Sequence, residues 1–458
     1  MSAASALAVA VVIGLAPGGG LPPGAVPHGA SVVSLDPALG LSELLLARRP
    51  SAAALARLRL APGVRSVGRP SLALEGCGPL ADDPRPDARW RTTVGFVSGS
   101  APGFVIGIAD SGIDDTRLGL SHPLEGALGG DPDGHGTAVA SEIAADRADL
   151  GVRGVARGVT LVSARICGGG GIEAGTLVAF RRFREAGAQV VNVSATMRST
   201  RALRASLRAL QRAGALVVAA AGNGGEQTFP ASEPGVLGVG ALARGSTTVV
   251  APYSTRGPQV DLVAPAEGMP VLASSRLSVD ELAHSPAGSS FAAPLAAGAA
   301  ALVWSRHPAW RAAEVAAVLT RSAHPIGHRP NPSAGYGRLD IARALRTPRS
   351  VDAFEPNDWY RAARDLAVAG TVHATLGEAG DVVDGYGVEL KAGRRLRVTA
   401  SAGIDLALVG PHGTAALFAL ARGSRSSTID LTVGEAGRYV IVATRSDGAG
   451  PYVLRVVP

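Results

Sequence analysis

The sequence predicts an α/β domain, a parallel β-sheet flanked by helices, followed by a small all-β sandwich domain. Two patterns carry this. From residue 104 apolar runs alternate with helical runs, and strands spaced by helices form parallel sheets covered on both faces. After Leu345 the chain turns to short alternating runs separated by Gly and Asp, which is the spacing of a sandwich.

The strand-like runs of the first part are "FVIGIA", "VTLVSARI", "AQVVNVSA", "ALVVAAAG", "GVLGVGAL" and "VDLVAP". They are almost wholly apolar, as strands buried on both faces are. Helical periodicity falls roughly at 136–146, 174–186, 200–213, 291–305 and 311–322. Residues 346–358 are polar with two prolines and mark a boundary, so a separable domain is expected beyond it. Upstream, the apolar run "SALAVAVVIGLA" at 5–16 has signal-peptide length, although no positive residue precedes it. It predicts a leader over 1–29 and export. Residues 31–75 hold the apolar run Val32–Leu35 and helical patterns at "LSELLLARR" and "AAALARLRL". Residues 76–103 read as a linker.

Of 458 residues, 47% are hydrophobic and 18% charged, the balance of a globular chain. The net charge of +7 comes almost entirely from arginine, with Lys391 the only lysine. These cations are scattered rather than clustered on one face, so no nucleic-acid partner is expected. Cys77 and Cys167 allow one disulfide or two free thiols.

Four stretches carry chemistry. In "PAGSSFAAPLAAGAAALVW" (286–304) serines stand at the mouth of an Ala-rich helix. They could be caps, or a nucleophile beside free backbone N–H groups. In "VIGIADSGID" Asp110 ends a buried strand, where α/β sheets place ligands. In "DGHGTAVASEIAA" His135 sits between glycines that allow close approach. In "VVAAAGNGG" Asn223 is either a turn residue or a side-chain donor to an oxyanion. Acyl transfer needs all of these parts: a hydroxyl, an imidazole, a carboxylate that fixes its tautomer, and oxyanion donors.

The residues Asp110-Ser111-Gly112, His135-Gly136-Thr137, Asn223 and Gly288-Ser289-Ser290-Phe291-Ala292, with "VNVSAT", "YSTRGPQVDLVAP" and "GYGRLDIARAL", resemble a subtilisin-type serine endopeptidase (subtilase, peptidase S8 family) over 104–345. The resemblance implies Ser290 as nucleophile, His135 as base and Asp110 as its orienter. It also implies an oxyanion hole from Asn223 and the Ser290 N–H. Ser289, at the family's usual Thr place, is expected to pack or cap.

The same resemblance implies a specificity pocket walled by Ser194, Ala195 and Thr196 and by Ala220, Ala221 and Gly222, with a floor near Thr228. Small uncharged walls favour Leu, Met or Ala before the scissile bond, unless Glu226 points inward and favours Arg or Lys. Ala138 stands where the family commonly has a second His, and Thr196 replaces a usual Gly. The loop 144–152 has the length of a family calcium loop, but Ala148 and Leu124 lack ligand side chains. No metal and no cofactor are therefore expected.

Residues 30–78 resemble a shortened inhibitory propeptide, and 79–347 the peptidase domain. Residues 353–458, with "FEPND", resemble a bacterial pre-peptidase C-terminal domain. The expected protein is a secreted, monomeric endopeptidase acting on polypeptides and inhibited by its own propeptide. The Cys77–Cys167 bridge would tether the new N-terminus beside the cleft. The alternatives are an inactive relative acting as a binding protein, and an esterase, whose Ser–acid–His order and G-x-S-x-G elbow this chain lacks.

Overall fold

A computed structural model describes residues 9–16, 21, 26, 31–46, 51–68, 73–75, 85–120, 125–126, 130–167, 171–224, 229–327, 331–349, 363–366, 370–376, 383–410, 417–421, 426–445 and 450–457. The first unit consists of β1 (Val9–Leu15), β2 (Ser31–Asp36), β3 (Leu41–Leu46), α1 (Ala52–Leu60) and β4 (Val64–Gly68). Its antiparallel sheet has the order β2-β3-β1-β4.

The run read as a leader supplies β1, which is paired along both edges and buries Val11, Val12, Ile13 and Leu15. A leader's apolar segment and a central strand share one composition. Likewise "LSELLL" is strand β3 rather than helix, while "AAALARLRL" is helical as expected. The unit is docked by Asp36, fully buried, whose carboxylate accepts from Arg184 Nη2 at 3.0 Å.

After β5 (Ala73–Glu75), the second unit holds β6 (Val105–Asp110), β7 (Glu125–Gly126), β8 (Thr160–Arg165), β9 (Val190–Val193), β10 (Thr196–Met197), β11 (Leu216–Ala220), β12 (Val236–Leu242) and β13 (Leu262–Pro265). Its helices are α2 (His135–Ala144), α3 (Ile172–Glu185), α4 (Arg201–Arg212), α5 (Ala292–Arg306) and α6 (Ala312–Ser322). The main sheet runs β13-β12-β11-β9-β6-β8-β7, every pair parallel. Alternate residues serve opposite layers, as the pleat requires. Leu216, Val218 and Ala220 join the core around α2 and α5, while Val217 and Ala219 join that under α3 and α4.

The helices follow from local sequence. In α4, Leu203, Leu207 and Leu210 recur at helical spacing and are buried, and the Thr200 side chain caps the start by accepting from Leu203 N at 3.2 Å. Helix α5 is buried from Ala292 to Trp304. Its small residues allow close packing, and a Cβ on Gly298 would come within 2.6 Å of Val155 Cβ.

The third unit is the expected sandwich. One sheet orders Arg364–Asp365, Val383–Leu390, Gly437–Arg445, Ile404–Val409 and Leu417–Ala421. The other orders Gly370–Leu376, Gly450–Val457, Arg395–Ala400 and Ser427–Thr432. Among the described strands of this unit a single parallel pair joins Arg364–Asp365 to Tyr386–Gly387, and the other pairs are antiparallel. Beyond its polar boundary the third unit shares a core with the second. Val383, Val440 and Val442 of the sandwich are buried in the same apolar cluster as Trp304, Val318 and Leu339 of the second unit. No helix among the described residues is long and apolar enough to cross a membrane.

Helix α2 carries an anomaly. Glu142 is only 5% exposed, and neither carboxyl oxygen has a hydrogen-bond partner among the described residues. Burial pushes its pKa well above the usual carboxylate range. The folded state therefore holds this proton more tightly than the unfolded chain. Its stabilising effect is complete below the unfolded pKa and is lost as pH rises towards the folded one, at about 1.4 kcal/mol per unit. Thermal melts of Glu142→Gln and its parent should coincide near pH 4. Above that the parent should fall progressively below the variant; parallel melting-temperature profiles would contradict this account.

Candidate active site

Parallel strands deliver their carboxyl ends to one edge of the sheet, and the chemistry-bearing residues gather there. Asp110 is the last residue of β6, Ser194 follows β9, and Ala221-Gly222-Asn223 follow β11. His135 opens α2. Ser290 lies in the one-turn 3-10 segment Ser289–Phe291 at the mouth of α5.

Asp110, at 1% exposure, accepts through Oδ1 from His135 Nδ1 at 2.7 Å and from Ser111 N at 2.7 Å. Burial pulls the His135 pKa down, but the charge and hydrogen bond of Asp110, helped by the charges of Asp131 and Asp133, outweigh it. The net value lies above that of ordinary histidine. The His135 ring packs 5.2 Å from that of Phe291, which follows Ser290 in the chain. Close approach of the two acidic and basic segments depends on Gly136, since a Cβ there would collide with the Gly112 carbonyl.

Ser194 and Ser290 clamp each other. Ser194 Oγ donates to the Ser290 carbonyl at 2.8 Å, and Ser290 Oγ donates to the Ser194 carbonyl at 3.1 Å. Asn192 Nδ2 donates to Ser194 Oγ at 2.9 Å and fixes its orientation. In this resting arrangement the Ser290 proton is directed to Ser194 rather than to His135. Asn223 is oriented in the same way: its Oδ1 accepts from Ser289 N at 2.8 Å, which turns the amide nitrogen towards Gly288. Ser289 Oγ accepts from Gly222 N at 3.1 Å and so ties two segments of the site together.

The expected pocket walls leave neighbouring strands. Ser194, Ala195 and Thr196 follow β9, and Ala220, Ala221 and Gly222 close β11, which pairs with β9. All six are buried. The Thr196 hydroxyl is buried without a partner among the described residues. Thr228, Glu226, Leu124 and Cys77 lie outside the described residues, as does "FEPND". Cys167 is 6% exposed and disulfide-bonded. Backbone strand β5 pairs antiparallel with β10, Glu75 opposite Thr196 and Ala73 opposite Met197.

The sequence reading passed over Asp131. Its carboxylate gathers hydrogen bonds from both flanks of His135 and from Ser111. The available signal was an Asp four residues before the histidine, followed by Gly134 in the left-handed conformation (φ 75°) that opens α2.

Residues 101–338 match the profile of the subtilase family, just over half of the chain. The halolysin-like extracellular serine protease Nep of Natrialba magadii is 31% identical over 265 residues, 53% of this chain and 47% of that protein. Subtilisin DY of Bacillus licheniformis is 31% identical over 236 residues, 47% of this chain and 84% of that protein. The match thus spans about half the length of the halolysin-like relative. Among solved structures, fervidolysin of Fervidobacterium pennivorans superposes with TM-score 0.62 at 16% identity, covering 97% of this chain and 88% of that one. That likeness concerns the fold.

The loop that by resemblance would bind calcium does not fit a cation. Its carboxylates face guanidinium groups. Asp149 accepts from Arg147 Nη2 at 2.7 Å, and Asp146 pairs with Arg157 at 3.0 Å. Arg147 also contacts Glu281 and donates to the Arg117 carbonyl at 3.1 Å, while Arg117 pairs with Glu281 at 2.9 Å. Among the described residues no group of three or more His, Cys, Asp or Glu could hold a metal ion. A guanidinium planted among these acceptors crosslinks the loop instead. Removing it with Arg147→Met should cost on the order of 1 kcal/mol, which differential scanning calorimetry would read as a lowered melting temperature that added calcium does not restore. Chelator should leave the parent unchanged. A chelator-induced drop reversed by calcium would refute the fit argument.

Proposed function

The chain belongs to the subtilase family, and from that premise we propose that it is a secreted serine endopeptidase. The observation that carries the reading is the buried 2.7 Å contact between His135 Nδ1 and Asp110. Held this way, the imidazole presents Nε2 towards the cleft with its tautomer fixed. Ser290 Oγ rotates from the Ser194 carbonyl, gives its proton to His135 Nε2 and attacks the scissile carbonyl. The developing oxyanion accepts from Asn223 Nδ2 and the Ser290 N–H. His135 then protonates the leaving amine, and water, deprotonated by the same imidazole, releases the acyl group and regenerates Ser290. Asp110 stays ionised and stabilises the imidazolium. The raised His135 pKa suits a base that must carry charge in the transition state.

Polypeptides are the substrate class. The small, uncharged walls formed by Ser194, Ala195, Thr196, Ala220, Ala221 and Gly222 favour Leu, Met or Ala before the scissile bond. The N-terminal unit acts as an intramolecular inhibitor, a reading supported by β5 lying along β10. Cys77 is the only cysteine besides Cys167, so a bridge between them would hold this segment near the cleft. Export is supported by the halolysin-like relative, which is described as extracellular.

A fluorophosphonate probe tests the whole reading. Processed wild-type protein should label and hydrolyse peptides; Ser290→Ala should fold, fail to label, and lose roughly 10⁶-fold in turnover, a magnitude known for this enzyme class. Persistent labelling of that variant would move the nucleophile elsewhere. Folded, processed wild type that never labels would favour the inactive binding relative. Asn223→Ala should lower kcat roughly 10²–10³-fold with KM little changed, again the class magnitude for one oxyanion donor. Steady-state kinetics on one peptide decide this, and an unaltered kcat would leave Asn223 a turn residue.

A further inference from the structure

The most heavily hydrogen-bonded carboxylate around the site belongs to none of the residues given a role above. Asp131 is fully buried. Its Oδ1 accepts from Ser111 Oγ at 2.8 Å, Gly134 N at 2.8 Å and Asp133 N at 3.3 Å. Its Oδ2 accepts from Thr137 N at 2.7 Å and Thr137 Oγ1 at 2.7 Å. Its carbonyl accepts from Ser274 Oγ at 2.6 Å.

We propose that Asp131 is a positioning residue that locks the strand end bearing Asp110 and the helix start bearing His135 into one rigid unit. The proposal rests on the reading of Asp110, His135 and Ser290 as a triad. Each tie to the carboxylate ends within two residues of a triad residue. Ser111 follows Asp110, and its Oγ, besides donating to Asp131, accepts from Gly136 N at 2.9 Å. Gly134 and Thr137 flank His135. Thr137 Oγ1 donates to Asp131 and accepts from Asp114 N at 3.0 Å, a second bridge back to the Asp110 segment. One carboxylate thereby fixes the approach of two segments 25 residues apart in sequence.

Only a carboxylate can do this. All five groups facing its two oxygens are donors, and three of them, Asp133 N, Gly134 N and Thr137 N, are backbone N–H groups that cannot turn away. An amide in place of the carboxylate has one acceptor and must set N–H against N–H on one side. Asp131 also contributes charge. The charged groups that face His135 are Asp110 from β6 and Asp131 and Asp133 from the loop before α2, and from the α5 side the Phe291 ring packs on it. Loss of one of three negative charges destabilises the imidazolium.

The test uses full-length Asp131→Asn. Expected is a kcat lowered roughly ten- to a hundredfold, an unchanged KM, and a His135 titration midpoint lowered by about half a pH unit. The midpoint is read by NMR in the Ser290→Ala background, where no turnover is needed. Ser111→Ala removes one tie and keeps the charge, so it should lower kcat while leaving the midpoint in place. It decides the question if Asp131→Asn fails to fold. A kcat within twofold of wild type in the folded variants, or a midpoint unmoved in Asp131→Asn with only the melting temperature reduced, would overturn the proposal. Wild type that neither hydrolyses peptides nor labels with fluorophosphonate, while the midpoint still shifts, would instead refute the triad reading and leave the Asp131 tie standing.

Discussion

The contact between Asp110 and His135 is the interaction on which the arrangement of the second unit turns. A carboxylate at 1% exposure is costly unless its lone pairs are taken up. Asp110 Oδ1 has two donors, but Oδ2 has no partner among the described residues. The core around it therefore has to hold this pair in place against its own desolvation cost. Strand β6 lies between β8 and β9, with Ile106 and Ile108 in one core layer and Ala109 in the other. A strand fixed on both edges and both faces cannot drift, so its last residue is placed as firmly as any in the molecule.

The same logic explains why helix α5 is so poor in large side chains. It lies against the sheet and must bring the Ser289–Phe291 turn within reach of Ser194 and Asn223. Alanine and glycine allow that approach, while Trp304 at its far end fills space in the cluster that the sandwich residues Val383, Val440 and Val442 share. Apolar burial of this kind is proportional to area and does not respect unit boundaries. A boundary marked in sequence by polar residues and prolines is therefore compatible with a continuous core across it.

What the sequence made legible was what periodicity and local chemistry encode. Each apolar run between 104 and 265 became a strand, because burial on both faces leaves an unmistakable composition. The five helical runs were found to within a few residues. Asp110, His135, Asn223 and Ser290 stood out because glycines or strand ends accompany them. The failures have equally physical causes. Residues 9–15 are apolar without a period and 41–46 carry a helix-like spacing of leucines, yet both are strands, because long-range pairing overrides local pattern. Asp131 was missed because its role lies in donors gathered from residues 111 and 133–137, with its carbonyl tied to Ser274.

Strand β10 shows how fold and proposed function constrain each other. It is only two residues long and stands outside the main sheet; Met197 exchanges both backbone hydrogen bonds with Phe229, at 3.1 and 3.0 Å, which leaves the opposite side for another strand. A short edge of this kind is a template for any extended chain that can reach it. Here β5 takes the position, with antiparallel register and an irregularity between Thr196 and Met197. On the proposed reading a polypeptide substrate would need the same backbone groups in the same orientation, so the N-terminal segment and the substrate cannot be bound at once. The docking of Asp36 on Arg184 then matters for more than stability. On that reading it would keep β5 near the cleft after a cut in the chain, so that its pairing stays effectively intramolecular. Cutting the chain between β5 and the second unit would leave that docking contact intact, so release of the cleft has to come from loss of the N-terminal unit itself rather than from the cut.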